Sequence, residues 1–185
     1  TEVNKVLKDP QLLRLDFGVF TLHLVLMAMF VALPRMLEQS GFLVAHHWQL
    51  YLPVFVLSVP LMVPFIILAE NKRRMKQVFI GAIIGLIAAQ LALLIFGNTV
   101  WHVAVALVIF FTAFNLLEAS LPSLIAKMSP ADRKGTAMGM FSTSQFMGAF
   151  AGGLLGGLSY QHWGATGVYL MCMLVIVVWL LLAST

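Results

Sequence analysis

The charges in this chain are placed so that long segments carry none. Residues 17–34, 39–69, 77–117 and 135–185 contain no Lys, Arg, Asp or Glu. A helix that crosses a bilayer needs about 20 predominantly apolar residues. Each of the four stretches has room for a span, and the two longest have room for two. Only 10% of the 185 residues are charged and 61% are hydrophobic, against about 25% charged in an ordinary soluble domain. A soluble fold of this length keeps much of its area against water and could not hide so much apolar surface. The expected class is therefore an all-α integral membrane protein whose first partner is the lipid bilayer.

Hydropathy, charge clusters and turn signals predict six transmembrane helices near 13–38, 48–70, 75–97, 100–127, 131–160 and 164–184. The connections are short, which favours antiparallel neighbours. Lys5, Lys8 and Arg14 precede or open the first span, Lys72, Arg73, Arg74 and Lys76 lie between the second and third, and Lys127, Arg133 and Lys134 between the fourth and fifth. All of these fall on one side, with Arg35 alone on the other, so the positive-inside rule makes both ends cytoplasmic. Trp48, Trp101 and Trp163 begin spans on the outer side and Trp179 lies near the inner end of the last, as expected of rings at the headgroup level. His46, His47, His102 and His162 accompany the outer tryptophans and read as interfacial polar residues. In SPADRKG, Ser129 suits an N-cap of the fifth helix and Pro130 its first position.

The net charge of +4 sits in short loops between spans, so it marks topology and not a nucleic-acid partner. The single cysteine, Cys172, excludes an intrachain disulfide. No Walker loop, HExxH or CxxC pair is present, and no nucleophile–base pair or metal cluster suggests an enzyme. No metal or cofactor is implied. The chain opens TEVNKVLKDP without an initiator Met and closes LLLAST on an apolar helix, which suggests a piece of a longer protein.

Polar residues inside the spans follow a period of three. His23 lies in the first span, and Asn115 and Glu118 in the fourth; Ser58 with Pro53, Pro60 and Pro64 lies in the second, and Ser142–Gln145 in the fifth; the third and sixth are almost wholly apolar. An odd repeat of three spans inverts its topology, the 3+3 arrangement found within transporter halves. In that reading the first and fourth helices face a cavity and the third and sixth face lipid. Counted from the helix ends, His23 and Glu118 fall at similar depth. Pro122 cannot donate to the carbonyl of Glu118, which Ser120, Ser123 or water could serve instead. Gly148, Gly152 and Gly156 form a GxxxGxxxG face and Gly81 with Gly85 a second pair. Small residues at this spacing let helices approach closely, so a packing role is expected for both.

The basic connection ENKRRMK and the stretch PSLIAKMSPADRKGTAMGMFSTSQFMGAFAGGLLGG resemble the C-terminal half of a major facilitator superfamily transporter. The likeness is to the YajR-type, a bacterial inner-membrane group proposed to perform proton-coupled drug efflux. That resemblance implies that the six spans are the second half of a twelve-helix fold. It makes residues 1–12 the end of a cytoplasmic linker and 13–185 the six-helix bundle. It also implies a missing N-terminal six-helix half, without which this chain does not transport.

An intramembrane ionisable group is functional by default. Glu118 is thus a candidate proton carrier or substrate-binding carboxylate, or else a structural glutamate bonded to neighbouring helices. His23 and Asn115 are candidates for the same site, each with a helix-bridging alternative. Gln145 and Ser142 are weaker cavity-lining candidates. Arg35 and Glu38 read as snorkelling or paired residues near a helix end. The leading expectation is proton-linked exchange of a small amphipathic substrate by alternating access; the alternative is a non-transporting sensor or scaffold on the same fold.

Overall fold

Helix formation starts at Asp9. In the computed structural model of the chain, which describes residues 9–71 and 74–184, the Asp9 side chain accepts hydrogen bonds from the backbone N–H groups of Gln11 (2.9 Å) and Leu12 (3.3 Å). Pro10 takes the first helical position, where its missing N–H costs nothing. Helix α1 therefore spans Pro10–Gln39 and begins inside the segment expected to be linker. Lys5, Lys8, Lys72 and Arg73, used above for orientation, lie outside the described residues.

After α1 the chain turns through Gly41, at φ 83°, and a short 3-10 turn at Val44–His46. Helices α2 (His47–Asn71), α3 (Met75–Phe96), α4 (Val100–Met128) and α5 (Lys134–Ser184) follow. All five helices are long and apolar enough to cross a membrane. Helix α5 has 51 residues, which if straight would run about 75 Å, far beyond the ~30 Å of hydrocarbon. It is broken at Gly164 (φ 63°, ψ −159°), a conformation open essentially to glycine alone.

Packing shows that the chain reverses there. A Cβ at Gly148, Gly152 or Gly156 would run into Phe20, Leu24 or Ala28 of α1, respectively. Because both series advance by four, the first arm of α5 runs parallel to α1, backbone against backbone. On the second arm, the Tyr169 hydroxyl donates to Met36 Sδ (3.5 Å), while the Trp179 indole lies against Gly18. Partner numbers now fall as the chain advances, so this arm is antiparallel to α1. Thioether sulfur accepts twice more: from Ser159 Oγ to Met171 (3.3 Å) across the reversal, and from the Gln90 amide of α3 to Met29 (3.7 Å).

One end of the bundle gathers the described Lys and Arg residues other than Arg35. Lys76 Nζ donates to Ser184 O (3.1 Å), which brings the start of α3 to the end of α5, and Trp179 beside Gly18 brings the start of α1 there too. Arg35 sits at the opposite end with its guanidinium 4.7 Å above the Tyr160 ring.

Three local expectations are corrected. Ser129 does not open the fifth helix: its N–H and hydroxyl both donate to Ile125 O (2.9 and 2.6 Å), so it closes α4. Pro130 disfavours helical geometry at the residue before it, and helix resumes only at Lys134 after a turn. Trp179 is 1% exposed and packs edge-on to Phe79 (5.9 Å), whereas Trp48, Trp101 and Trp163 are open. His47 is buried, bonded through Nε2 to Phe42 O (3.0 Å) and stacked on the Phe42 ring. Among the helices α1 and α4 are the most enclosed by protein, and α2 offers the most open surface.

Candidate functional site

Three helices bring one polar side chain each to a single point. From α1, His23 is anchored through Nδ1, which lies 3.1 Å from Val19 O one turn earlier. A carbonyl only accepts, so Nδ1 carries the hydrogen and Nε2 faces outward from the helix. The Phe114 ring of α4 meets the imidazole edge-on at 5.7 Å. From α5, the Gln145 amide nitrogen stands 2.9 Å from His23 Nε2 and 3.3 Å from Glu118 Oε1. From α4, Glu118 directs Oε2 toward the imidazole, 3.7 Å from Nε2. That separation exceeds a hydrogen bond, and Oε2 has no hydrogen-bond partner among the described residues.

The donor count fits this arrangement. An amide nitrogen has two hydrogens, and Gln145 faces two acceptors with it: the imidazole lone pair and a carboxylate oxygen. The geometry therefore lets one amide nitrogen serve both acceptors. A proton arriving on Nε2 would turn that nitrogen into a donor facing a donor. Either the amide rotates to present its oxygen, or the new N–H turns to Glu118 Oε2. Access differs as well. The Glu118 side chain is 35% exposed and that of His23 11%, so Glu118 lies nearer the open side, with its Oε2 buried toward the imidazole.

The structure thus brings Glu118, His23 and Gln145 together and sends Asn115 elsewhere. Asn115 Nδ2 donates to Ser58 Oγ of α2 (3.1 Å), and Ser58 in turn donates to Phe55 O (2.9 Å). Ser142 is exposed on α5 and lies outside the cluster. The Ser120 hydroxyl donates to Leu116 O (2.7 Å), not to the Glu118 carbonyl that Pro122 releases. In the second glycine pair, a Cβ at Gly85 would stand 3.3 Å from Ala113 Cβ, whereas nothing lies within 4 Å of one at Gly81. Gly81 is open and makes no close helix contact.

Two features were under-read in the sequence. Gln145 lies three residues before Gly148 and seven before Gly152, on the glycine face that is held against α1, and that register was the available signal. Asp16 is buried at 5% exposure with Oδ1 unpartnered among the described residues. It lies seven residues before His23, hence on the same side of α1. No group of His, Cys, Asp and Glu suited to a metal occurs among the described residues.

Comparison with known proteins agrees with this architecture. Residues 15–185 match the family model described as Major Facilitator Superfamily. The chain is 48% identical over 182 residues to the inner membrane transport protein YajR of Escherichia coli (strain K12), covering 98% of this chain and 40% of that protein. It is 32% identical over 139 residues to an uncharacterized transporter of Buchnera aphidicola subsp. Acyrthosiphon pisum, covering 75% of this chain and 36% of the relative. A transporter of Buchnera aphidicola subsp. Baizongia pistaciae is 30% identical over 165 residues, with 85% and 41% covered. The chain accordingly spans well under half the length of these relatives. Its fold elements, its apolar helices and the match over nearly all its residues lead to one assignment: the chain belongs to the Major Facilitator Superfamily.

Proposed function

We propose that the chain supplies one half of a secondary active transporter that exchanges protons for a small, amphipathic substrate by alternating access, probing both sides of an inner membrane in turn. In this reading α5 crosses the membrane twice, its arms joined at Gly164, so that six crossings form an inverted 3+3 repeat. The basic end, with both chain ends, is cytoplasmic. A second six-helix half completes the cavity, and transport requires both.

The observation that carries the proposal is the His23–Gln145–Glu118 cluster. Ionisable groups within apolar spans are costly and mark ion or substrate pathways. Here they come from helices far apart in sequence, so a shift of one helix against another changes the cluster directly. Glu118 is the proton carrier, His23 is its partner through Nε2, and Gln145 reports which of them holds the proton by the way its amide faces. Asn115, tied to α2 through Ser58, stands apart from the cluster. The name of the Escherichia coli relative, an inner membrane transport protein, supports a transport role in that membrane.

The test uses the full-length transporter reconstituted in vesicles with an imposed pH gradient. Glu118→Gln keeps the size and hydrogen-bonding capacity of the side chain and removes the titration. It is expected to abolish proton-driven accumulation while expression and thermal stability persist. Proton-driven transport by Glu118→Gln at the unsubstituted rate would sink the assignment of Glu118.

A further inference from the structure

The face of α4 turned away from the cluster borders a groove of about 490 Å³ between α2, α3 and α4. Its walls are apolar, with Phe65 from α2, Gly81 and Gly85 from α3, and Ile109 from α4. Its polar groups stand mainly at the mouth, Arg74 and Gln77, with Thr112 of α4 the one polar side chain along the wall. We infer that this groove is a binding site for one acyl chain of an anionic phospholipid, with the phosphate held by Arg74 and Gln77.

Three properties argue for that occupant. The first is length. From Arg74 to Gly85, α3 advances eleven residues, about 16 Å, and one leaflet of hydrocarbon is about 15 Å deep, half of the ~30 Å core. The groove therefore runs from headgroup level to the bilayer centre, as a single lipid chain does.

The second is shape. Gly81 leaves its part of the wall without a side chain and meets nothing within 4 Å. Since the close-packing glycines of this chain all meet a neighbour, an open glycine facing a groove serves to keep that groove empty of protein.

The third is charge. The guanidinium of Arg74 is exposed at the mouth, within the sequence ENKRRMK. A guanidinium binds phosphate oxygens in a fixed fork, and a neighbouring amide adds donors for phosphate or ester oxygen. Cationic groups at an anionic leaflet contribute about 1 kcal/mol each. A free phosphate would use the mouth and leave the apolar length unfilled, so the lipid is the occupant that satisfies both ends. The site is independent of the proton cluster: α4 turns Phe114 and Glu118 to the cluster, and Ile109 and Ala113 to the groove.

The experiment is native mass spectrometry of the full chain, and of the full-length transporter, incubated with equimolar phosphatidylglycerol and phosphatidylcholine. One phosphatidylglycerol retained per chain, in preference to phosphatidylcholine, is the expected result. Arg74→Gln should reduce that preference about fivefold, the equivalent of one basic residue at an anionic surface. Gly81→Leu should abolish retention of both lipids with unchanged circular dichroism, since the added side chain enters open space. Equal retention by the unsubstituted chain, Arg74→Gln and Gly81→Leu would overturn the inference. So would retention by this chain and none by the full-length transporter, which would assign the groove to the rest of the protein. Loss of proton coupling in the Glu118 experiment leaves this result unaffected.

Discussion

The contact between α1 and the first arm of α5 makes adjacent glycines respond in opposite directions. At Gly156 an added Cβ would lie 2.7 Å from Ala28 Cα, 0.7 Å inside the 3.4 Å where ordinary contact begins. At Gly148 and Gly152 the atoms met are the backbone carbonyls of Phe20 and Leu24, which cannot swing aside as a side chain would. Relief requires the two helices to separate along their whole seam. Overpacking of this kind costs about 1–3 kcal/mol, while alanine gains about 1 kcal/mol over glycine in helix propensity.

Gly152→Ala is therefore expected to lose up to about 2 kcal/mol net, with Gly148→Ala similar and Gly156→Ala milder. Gly153 is the control, because nothing lies within 4 Å of its would-be Cβ, so Gly153→Ala should gain up to about 1 kcal/mol. The measurement is reversible unfolding in mixed micelles, followed by circular dichroism as the fraction of denaturing detergent rises. The two neighbouring variants should differ by about 1–3 kcal/mol, roughly five- to 150-fold in the unfolding equilibrium, since the propensity gain is common to both. Coincident midpoints for Gly152→Ala and Gly153→Ala would refute a backbone-to-backbone seam.

Trp179→Ala, which empties the space against Gly18 and Phe79, should cost about 3–5 kcal/mol in the same titration, whereas Trp101→Ala, 80% exposed, should shift it by no more than about 0.5 kcal/mol. Gly164→Ala forces a side chain into a glycine-only conformation and should cost about 1–3 kcal/mol, read as a lowered midpoint beside Gly153→Ala. Gln145→Leu removes the donor facing both His23 and Glu118 and should cost about 1–3 kcal/mol. Gln145→Glu replaces that donor by a second carboxyl beside Glu118 and should cost at least as much as Gln145→Leu; stability equal to the unsubstituted chain would contradict the placement of Gln145.

Hydropathy, charge clusters and turn signals together marked the apolar helical segments, because a membrane span is dictated by a property summed over about 20 residues. The shared depth of His23 and Glu118 was also legible, since helical rise converts residue counts into distance. What escaped was everything decided by a partner. Ser129 had the residue type of an N-cap, yet its hydroxyl finds the carbonyl behind it, with Pro130 ahead. Trp179 had the position of an interfacial anchor, but Gly18 on another helix opens a slot for its ring. Asn115 and Glu118 are one turn apart and looked like one pair; Ser58 and Gln145, from different helices, draw them apart. Gln145 itself was read as a minor cavity liner because its two acceptors lie 122 and 27 residues away.

The hydrogen bonds to sulfur have a mechanical meaning. Helix α1 is joined to the first arm of α5 through touching backbones, a seam with no slack. Its polar ties to α3 and to the second arm of α5 end instead on the thioethers of Met29 and Met36. Thioether sulfur is a weak acceptor on a flexible, polarizable side chain, so these ties yield at little cost and re-form after small displacements. The bundle accordingly has a stiff axis, α1 with the first arm, and compliant flanks that can slide along it. Motion passing through this chain should leave the Gly148–Phe20 register fixed and alter the distances from Met29 to Gln90 and from Met36 to Tyr169.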